Sequence, residues 1–257
     1  MRNDLSPLLR SFTPIFLEEM DRVKLLDRVD TKFVFNYHQL PGILKNITEF
    51  YKVLDVNGIM QNRYETLYFD TLDYKLYMDH HNGRTNRYKI RYRKYTDSNT
   101  IFFEVKYKNN KGRTIKSRVK RKNIHETIEG KALELINTAT PLHSENLEPK
   151  LWVNYSRITL VNKVIPERLT LDIDLNFKNG QQDIGFKNLV IAEVKQEKIR
   201  DSPFINVMKT NHLRQGSISK YCFGVTTLID DIKKNYFKQY LLSVHKICNG
   251  TNIKIST

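Results

Sequence analysis

The sequence predicts an α+β fold built around an antiparallel sheet. Three consecutive β-rich segments, at 87–95, 101–108 and 113–120, are separated by the turn-forming sequences TDSNT and NNKG. Hydrophobic residues make up 40% of the chain, which is enough for a packed core. No internal repeat and no linker-like stretch interrupts the 257 residues, so we expect a single domain over 1–257.

Each further element follows from a local pattern. Helices are predicted where apolar residues recur every three to four positions, and Pro41 in a first turn marks one helix start. Strands are predicted where β-branched and aromatic residues alternate with polar ones. The predicted helices are 5–27, 38–50, a short helix or turn at 72–81, 121–137, 203–214 and a terminal helix at 230–247. The remaining predicted strands are 28–35, 63–71, 152–161, 168–177 and 186–196, and GSISKYCFG (216–224) is predicted as a loop.

The positive charge of the chain is concentrated in one region. The formal net charge is +15, and residues 84–122 hold 15 Lys and Arg against two acids, Asp97 and Glu104. A basic field of this kind attracts anions, which include nucleic acid, anionic lipid and polyanionic small molecules. Composition alone does not choose among them.

Other features bear on the cellular context. No stretch approaches the length of a membrane span, and the first 20 residues lack the apolar core of a signal peptide. The two cysteines, Cys222 and Cys248, cannot form a disulfide framework, which favours a reducing compartment. We therefore expect a cytoplasmic location.

Strand parity places many cations on one face, because alternate residues of a strand point to opposite faces. The cations that share the polar face of three consecutive strands are Lys89, Arg91, Arg93, Lys106, Lys116 and Arg118. The carboxylates on polar faces of the same kind are Glu104, Asp172, Asp174 and Glu193. An antiparallel sheet with one solvated face explains this alternation and is the simpler interpretation from parity alone.

Two details point instead to an enclosed face. Like charges opposite each other destabilise a sheet, so a solvated face normally mixes both signs. The aligned carboxylates are also the groups that a cation site requires. If the sheet closes, its charged face lines a lumen suited to a polyphosphate with a divalent metal. The apolar residues expected to pack beneath helices are then Ile90, Phe103, Val105 and Ile115.

The chain resembles the catalytic domain of the VTC (vacuolar transporter chaperone) proteins, the polyphosphate polymerase branch of the CYTH-like triphosphate tunnel metalloenzymes. Nine segments in family order carry the resemblance: RVDTKFVF (28–35), RYETLYFDT (63–71), RYKIRYRKY (87–95), FFEVKYK (102–108), IKSRVKR (115–121), NYSRITL (154–160), RLTLDIDLNF (168–177), LVIAEVKQ (189–196) and SISKYCFG (217–224). The resemblance implies a closed tunnel of eight antiparallel strands with helices outside. It implies transfer of the γ-phosphate of ATP to a growing polyphosphate chain, with release of ADP and with Mn²⁺ or Mg²⁺ on the phosphates.

Site residues follow from the same resemblance, position by position. The implied catalytic residues are Lys32, Arg91, Arg93, Lys106 and Lys220. The implied substrate-binding residues are Lys89, Lys116, Arg118, Tyr155, Arg157, Lys195 and Ser219. Glu193 is implied as the metal ligand, with Glu104 as a second candidate and the Asp172/Asp174 pair after it. Lys120, Arg121 and Lys122 are expected to form a track for the polyanion at the tunnel mouth.

One departure separates branches of the superfamily. Hydrolytic and cyclase members open with E-x-E-x-K, whereas residues 28–32 of this chain read RVDTK, with the single acid Asp30. This favours the polymerase branch, but a metal-dependent triphosphatase stays open, as does a non-catalytic module that binds a polyanion. ATP and polyphosphate are the expected partners, and a membrane-protein partner is implied by the resemblance only. Nucleic acid is not expected, because no recognised nucleic-acid-binding motif occurs.

Overall fold

The computed structural model describes residues 4–20, 29–216 and 219–248. Eleven strands in these segments form one sheet. The strands are β1 (Thr13–Ile15), β2 (Val29–Asn36), β3 (Tyr51–Leu54), β4 (Asn62–Asp70), β5 (Arg87–Tyr95), β6 (Thr100–Lys108), β7 (Thr114–Arg121), β8 (Glu148–Asn162), β9 (Glu167–Lys178), β10 (Asp183–Phe186) and β11 (Leu189–Gln196). The helices are α1 (Ser6–Leu9), α2 (Leu17–Met20), α3 (Leu40–Ile47), α4 (Lys75–His81), α5 (Lys131–Ala139), α6 (Pro203–Thr210), α7 (Lys220–Leu228) and α8 (Lys238–Ile247).

The main path of the sheet has eight strands in the order β2-β11-β9-β8-β4-β5-β6-β7, and neighbours along it are antiparallel. Three short strands add to this path: β10 pairs with β9, β3 pairs with β8, and β1 pairs in parallel with β3. Within the described segments, the end strands β2 and β7 share no ladder. The antiparallel α+β prediction is confirmed. The prediction of a closed eight-stranded tunnel is wrong in strand number and in closure, because strand patterns do not encode whether distant edges pair.

Helices cover the face of the sheet opposite to the charged one. Side chains of α1, α3 and α6 share one buried core with apolar residues of β2, β8, β9 and β11. A second core joins Ala132 and Ile136 of α5 to Ile90, Phe103 and Val105. The expectation that these three strand residues pack beneath a helix is confirmed. Ile115 of β7 is 47% exposed, so the same expectation is wrong there, because β7 is an edge strand that α5 does not fully cover.

The N-terminal helix predicted over 5–27 is wrong in its described part. Pro14 lies inside β1, between Thr13 and Ile15, and pairs with Val53 of β3. Proline lacks the N–H that a helix interior needs, so the chain leaves α1 and resumes a helix only at Leu17. Positions 21–27 of the predicted helix, and residue 28, the first of the predicted strand 28–35, lie outside the described residues.

Three other boundaries also differ from the sequence prediction. The helix predicted over 121–137 begins at Lys131, after Gly130 adopts a positive φ of 54° that ends the preceding irregular segment. The terminal helix begins at Lys238 rather than 230, behind a 3₁₀ turn. The predicted loop GSISKYCFG enters α7 at Lys220, because the Ser219 hydroxyl accepts the Cys222 N–H at 3.3 Å and caps the helix.

A bulge in β9 changes which residues face the charged side of the sheet. Asp174 has a φ of 54°, and the β8–β9 register shifts between Asn154 and Ser156. Residues before the bulge keep the predicted alternation, whereas Leu175 crosses to the core that contains α7. Simple alternation had placed Leu175 with Leu169 and Leu171 and Asp174 with Asp172, so parity fails at this point.

The helix α7 approaches the sheet closely at one end of its charged face. A Cβ atom at Gly224 would lie 2.8 Å from side-chain atoms of both Leu151 and Phe177, so only glycine fits. The chain therefore brings Lys220, at the start of α7, against the sheet. No helix among the described segments has the length and apolar character to cross a bilayer.

Candidate functional site

The face of the sheet that the outer helices do not cover carries most of the buried charge. We call this the inner face. Its cations are Lys32 of β2, Lys89, Arg91 and Arg93 of β5, Lys106 of β6, Lys116 and Arg118 of β7, Arg157 of β8, Lys195 of β11 and Lys220 of α7. Its carboxylates are Asp30, Glu104, Asp172 and Glu193. Cations outnumber carboxylates, so the inner face has a net positive charge.

The first ion-pair cluster is centred on Glu104. Its side chain is 1% exposed and lies 2.7 Å from an Arg91 guanidinium nitrogen and 2.5 Å from Lys116 Nζ. Arg91 also donates to the Tyr68 hydroxyl at 2.9 Å. Burial by itself would raise the pKa of Glu104, but Arg91, Arg93 and Lys116 hold it at about 2. Glu104 therefore stays ionised and fixes Arg91 in position.

The second cluster ties α7 to the sheet. Arg157 donates to both oxygens of Asp172, at 2.6 and 2.8 Å, and Lys220 forms an ion pair with the same carboxylate. Although burial opposes ionisation, these two cations hold the pKa of Asp172 at about 2. A bidentate Arg–carboxylate pair fixes the guanidinium in position, and here it also anchors the start of α7.

The third cluster joins β2 to β11. Glu193 lies 3.2 Å from Lys32 Nζ and 2.5 Å from Lys195 Nζ, and Lys195 lies 3.9 Å from Asp30. Against the effect of burial, Lys195 and Lys32 hold the pKa of Glu193 well below its usual range. Burial lowers the pKa of Lys195 to about 8, although Glu193 and Asp30 favour its charged form.

The register of β5, β6 and β7 places three lysines in a row. Lys106 lies directly opposite Lys89 on one side and Lys116 on the other. Burial, followed by Lys89 and Arg91, lowers the pKa of Lys106 to about 7, while Glu193 and Asp30 act in the opposite direction. Because β6 lies far from β11 and β2 along the strand path, this interaction indicates that the sheet curves and brings the two ends of its inner face toward each other. Lys89 and Lys106 repel each other, because like charges directly opposite each other are unfavourable, whereas Lys116 is paired with Glu104.

Aromatic side chains support the cations. Tyr64 and Tyr155 are stacked, with ring centroids 5.1 Å apart and an interplanar angle of 6°. The Arg157 guanidinium lies 5.1 Å from the centroid of the Tyr64 ring, and Lys220 Nζ lies 4.8 Å from that of Tyr155. These contacts fix cations without neutralising them.

The oxygen donors of the site fit a divalent metal at one location. Mg²⁺ and Mn²⁺ prefer oxygen ligands, and Mg²⁺ is often held by one or two carboxylates together with substrate phosphates. Asp30 and Glu193 form such a pair, since their side chains interact and both lie near Lys195. No group of three or more His, Cys, Asp or Glu side chains with metal-binding geometry occurs in the described part of the chain. Any metal at this pair therefore needs further ligands from the substrate.

The structure brings most of the site residues expected from the sequence to the inner face, where they have different protein partners. Ser219 caps α7, so its hydroxyl already has a protein partner. Lys116 and Arg118 are exposed on the edge strand, and Asp174, the residue with positive φ in the bulge, is also exposed. In the expected mouth track, Arg121 packs beside Gly130 while Lys120 lies opposite Phe102 in the β6–β7 ladder. The three residues of that track therefore do not share one face.

Sequence reasoning missed the contributions of β4 to the inner face. Tyr64 and Tyr68 belong to the same buried core as Tyr155, and Thr66 lies between them in the strand. The alternation of Tyr64, Thr66 and Tyr68 was a usable signal, because it matches the period of a strand with one face toward the site.

The chain matches one known protein family and is similar to several solved structures. A family model described as the VTC domain matches residues 27–229. A candidate adenylate cyclase from Vibrio parahaemolyticus is similar in structure, with 12% identity, a TM-score of 0.47 and coverage of 77% of this chain and 98% of that chain. A candidate adenylate cyclase from Bacillus halodurans has 12% identity and a TM-score of 0.49, covering 79% of this chain and 98% of that one. A candidate adenylyl cyclase from Hippeastrum, described as having a dominant triphosphatase activity, has 13% identity, a TM-score of 0.47 and coverage of 79% and 98%. Among curated proteins, none matches this sequence significantly.

Proposed function

The chain belongs to the VTC domain family, and on that premise we propose that it is a metal-dependent polyphosphate polymerase. It transfers the γ-phosphate of ATP to a growing chain of inorganic polyphosphate and releases ADP. The observation that carries the proposal is the pair Lys89 and Lys106, which lie directly opposite each other in the ladder and have no carboxylate within ion-pair distance in the described part of the chain. A bound polyphosphate relieves this repulsion, because its oxygens supply the negative charges that the sheet lacks.

The residues of the inner face have distinct tasks in this proposal. Arg91 and Arg157 are held by carboxylates, so they present fixed guanidinium groups that need no reorganisation when phosphate charge develops. Lys89 and Lys106 supply point charges along the phosphates, and Lys32 and Lys220 extend the basic lining to β2 and α7. Phosphoryl transfer depends mainly on positioning and charge neutralisation, which these groups provide.

The nucleophile in the proposed reaction is a terminal phosphate oxygen of the acceptor chain, so no protein nucleophile is required. Asp30 and Glu193 would hold a divalent metal, Mn²⁺ or Mg²⁺, which would supply positive charge that neutralises the phosphates during transfer. Glu104 is a weaker choice for a ligand, because both of its oxygens contact cations. Tyr155, Lys195, Arg118 and Ser219 remain proposed substrate-binding residues.

The test is incubation of the purified protein with ATP and Mn²⁺ or Mg²⁺, followed by a gel for phosphate polymer and a separate assay for ADP. We expect polymer and ADP together. Lys106→Gln should reduce both strongly. Lys94→Gln is the matched control, because Lys94 lies on the same hairpin but pairs with Glu65 at 3.5 Å.

Two other outcomes would replace the proposal. Release of orthophosphate without polymer would make the protein a triphosphatase, in which water is the nucleophile. Tight polyphosphate binding without turnover would make it a polyanion-binding module. The proposed location is cytoplasmic, and the proposed partners are ATP and polyphosphate, with no nucleic acid. A membrane-protein partner is proposed from the family resemblance alone.

A further inference from the structure

Tyr95 and Phe102 form an aromatic pair on the inner face. Phe102 lies directly opposite Arg93, and Tyr95 follows Arg93 by two residues, so both rings lie on the charged side of the β5–β6 hairpin. Their ring centroids are 6.1 Å apart at an interplanar angle of 87°, and both residues are half-buried. Polyphosphate presents only charged oxygens, so it gains nothing from aromatic surface. The two rings therefore indicate a ligand that also has an apolar, planar part.

The aromatic pair lies at the end of the inner face away from α7. Tyr221 of α7 covers the other end, where its ring is stacked on that of Tyr68 with centroids 5.0 Å apart. Tyr95 lies opposite Tyr64, four residues before Tyr68, so the α7 contact is about 13 Å along the strand from the pair. The turn that joins β5 to β6, Thr96–Ser98, follows Tyr95 directly. The rings thus lie at the margin of the inner face, beyond the cations.

The order of side chains along β5 matches the parts of a nucleotide. From the hairpin turn inward, one side chain about every 7 Å belongs to the inner face, in the order Tyr95, Arg93, Arg91 and Lys89. An aromatic group precedes three cations, as a base precedes the three phosphates of a nucleoside triphosphate. The Arg118 guanidinium lies 4.4 Å from the centroid of the Phe102 ring. A guanidinium there can stack on a base as well as bind phosphate oxygens.

We propose that Tyr95 and Phe102 form the surface on which the base of a nucleoside triphosphate stacks. This rests on the proposed function and deepens it, because it names the residues that distinguish a nucleotide from inorganic polyphosphate. Every base has a π-face, so such a surface favours nucleotides over tripolyphosphate without choosing one base. Tyr95 is the cleaner residue to change, because its ring packs against Tyr64 and Phe102, whereas Phe102 also contacts Arg118.

The test compares the affinities for ATP and for inorganic tripolyphosphate, both measured by calorimetry without metal. Tyr95→Leu removes the aromatic ring and keeps an apolar side chain. It should weaken ATP binding about fivefold or more and leave tripolyphosphate affinity unchanged, which also shows that the variant is folded. Tyr95→Phe keeps the ring and should bind ATP as the parent does. Phe102→Leu should weaken ATP binding more than tripolyphosphate binding.

The matched control is Tyr107→Leu, on β6 of the same hairpin. Tyr107 is also half-buried, and its ring is stacked on that of Tyr88 with centroids 4.6 Å apart, but Tyr88 packs against the core beneath α5 on the opposite face. This control should leave both affinities unchanged. Parental ATP affinity in Tyr95→Leu, or an equal loss of affinity for ATP and tripolyphosphate, would overturn the stacking surface. A parent that binds neither ligand would instead contradict the proposed function, so the two failures are distinguishable.

Discussion

Lys106 should make polyphosphate binding depend on pH. In the free protein its pKa is about 7, mainly because it is buried and then because Lys89 and Arg91 lie close by. The ordinary pKa of lysine is about 10.4. Because the pKa of Lys106 is about 7 instead, about half of the Lys106 side chains are neutral at pH 7. Phosphate oxygens favour the charged form, so binding returns the pKa toward its ordinary value and takes up a proton.

The size of the effect follows from proton linkage. When the pH lies between the pKa of Lys106 in the free protein and its pKa in the complex, binding takes up as much as one proton. The affinity then falls by up to about tenfold for each unit by which the pH rises. From pH 7 to pH 9, Lys106 alone therefore accounts for a loss of up to about a hundredfold in tripolyphosphate affinity. Lys195, whose pKa is about 8, adds a similar dependence above pH 8.

The assay is isothermal titration calorimetry of tripolyphosphate without metal, from pH 6.5 to 9, in buffers of different ionisation enthalpy. The parent should take up protons near pH 7.5, and Lys106→Met should take up fewer. Protonation of the ligand itself is common to both proteins and cancels in the comparison. The affinities of the two proteins should differ most at pH 6.5 and converge toward pH 9. Parallel pH profiles for parent and variant would refute the reasoning, and Lys94→Met should reproduce the parent profile.

Three further predictions concern the buried charges of the inner face. Glu193→Gln should abolish turnover with Mn²⁺ or Mg²⁺, while calorimetry without metal should still show tripolyphosphate binding. Undiminished turnover would move the metal role to another carboxylate. Asp172→Asn should lower the free energy of unfolding by about 3–5 kcal/mol in a urea titration, because it leaves Arg157 buried without its counterion; a change below about 1 kcal/mol would contradict that role. Without ligand, stability should rise with pH above about 7, since Lys106 and Lys195 have lowered pKa values and the unfolded chain binds more protons there. Thermal unfolding from pH 6.5 to 9 would count against this assignment if Lys106→Met showed the same slope as the parent.

Much of the site was accessible from the sequence because it lies on regular strands. The alternation in β5, β6 and β7 correctly places Lys89, Arg91 and Arg93 on the face opposite Ile90, and hairpin pairing brings Lys106 beside them. That residues 1–257 form one domain, and that the site residues have the roles given to them, remain predictions.

Other parts of the site could not be predicted, because they depend on contacts between distant segments. Glu104 and Asp172 both look like metal ligands in the sequence, but in the structure both oxygens of each carboxylate contact cations, whereas the two cations beside Glu193 contact only one of its oxygens. Which carboxylate neutralises which cation depends on the strand order, in which β8 and β9 lie between β11 and β4. The bulge at Asp174 has no local signal strong enough to override simple alternation.

The sequence by itself determined where the eight strands of the main path lie and that their polar faces are basic, since both follow from short-range periodicity. Only the tertiary structure decided that β2 and β7 share no ladder within the described segments, that Ser219 begins a helix, and that Glu104 and Asp172 each hold one arginine of the inner face in place. The physical reason is that burial, ion pairing and edge pairing arise between residues far apart in the chain. A period of two residues carries no information about such contacts.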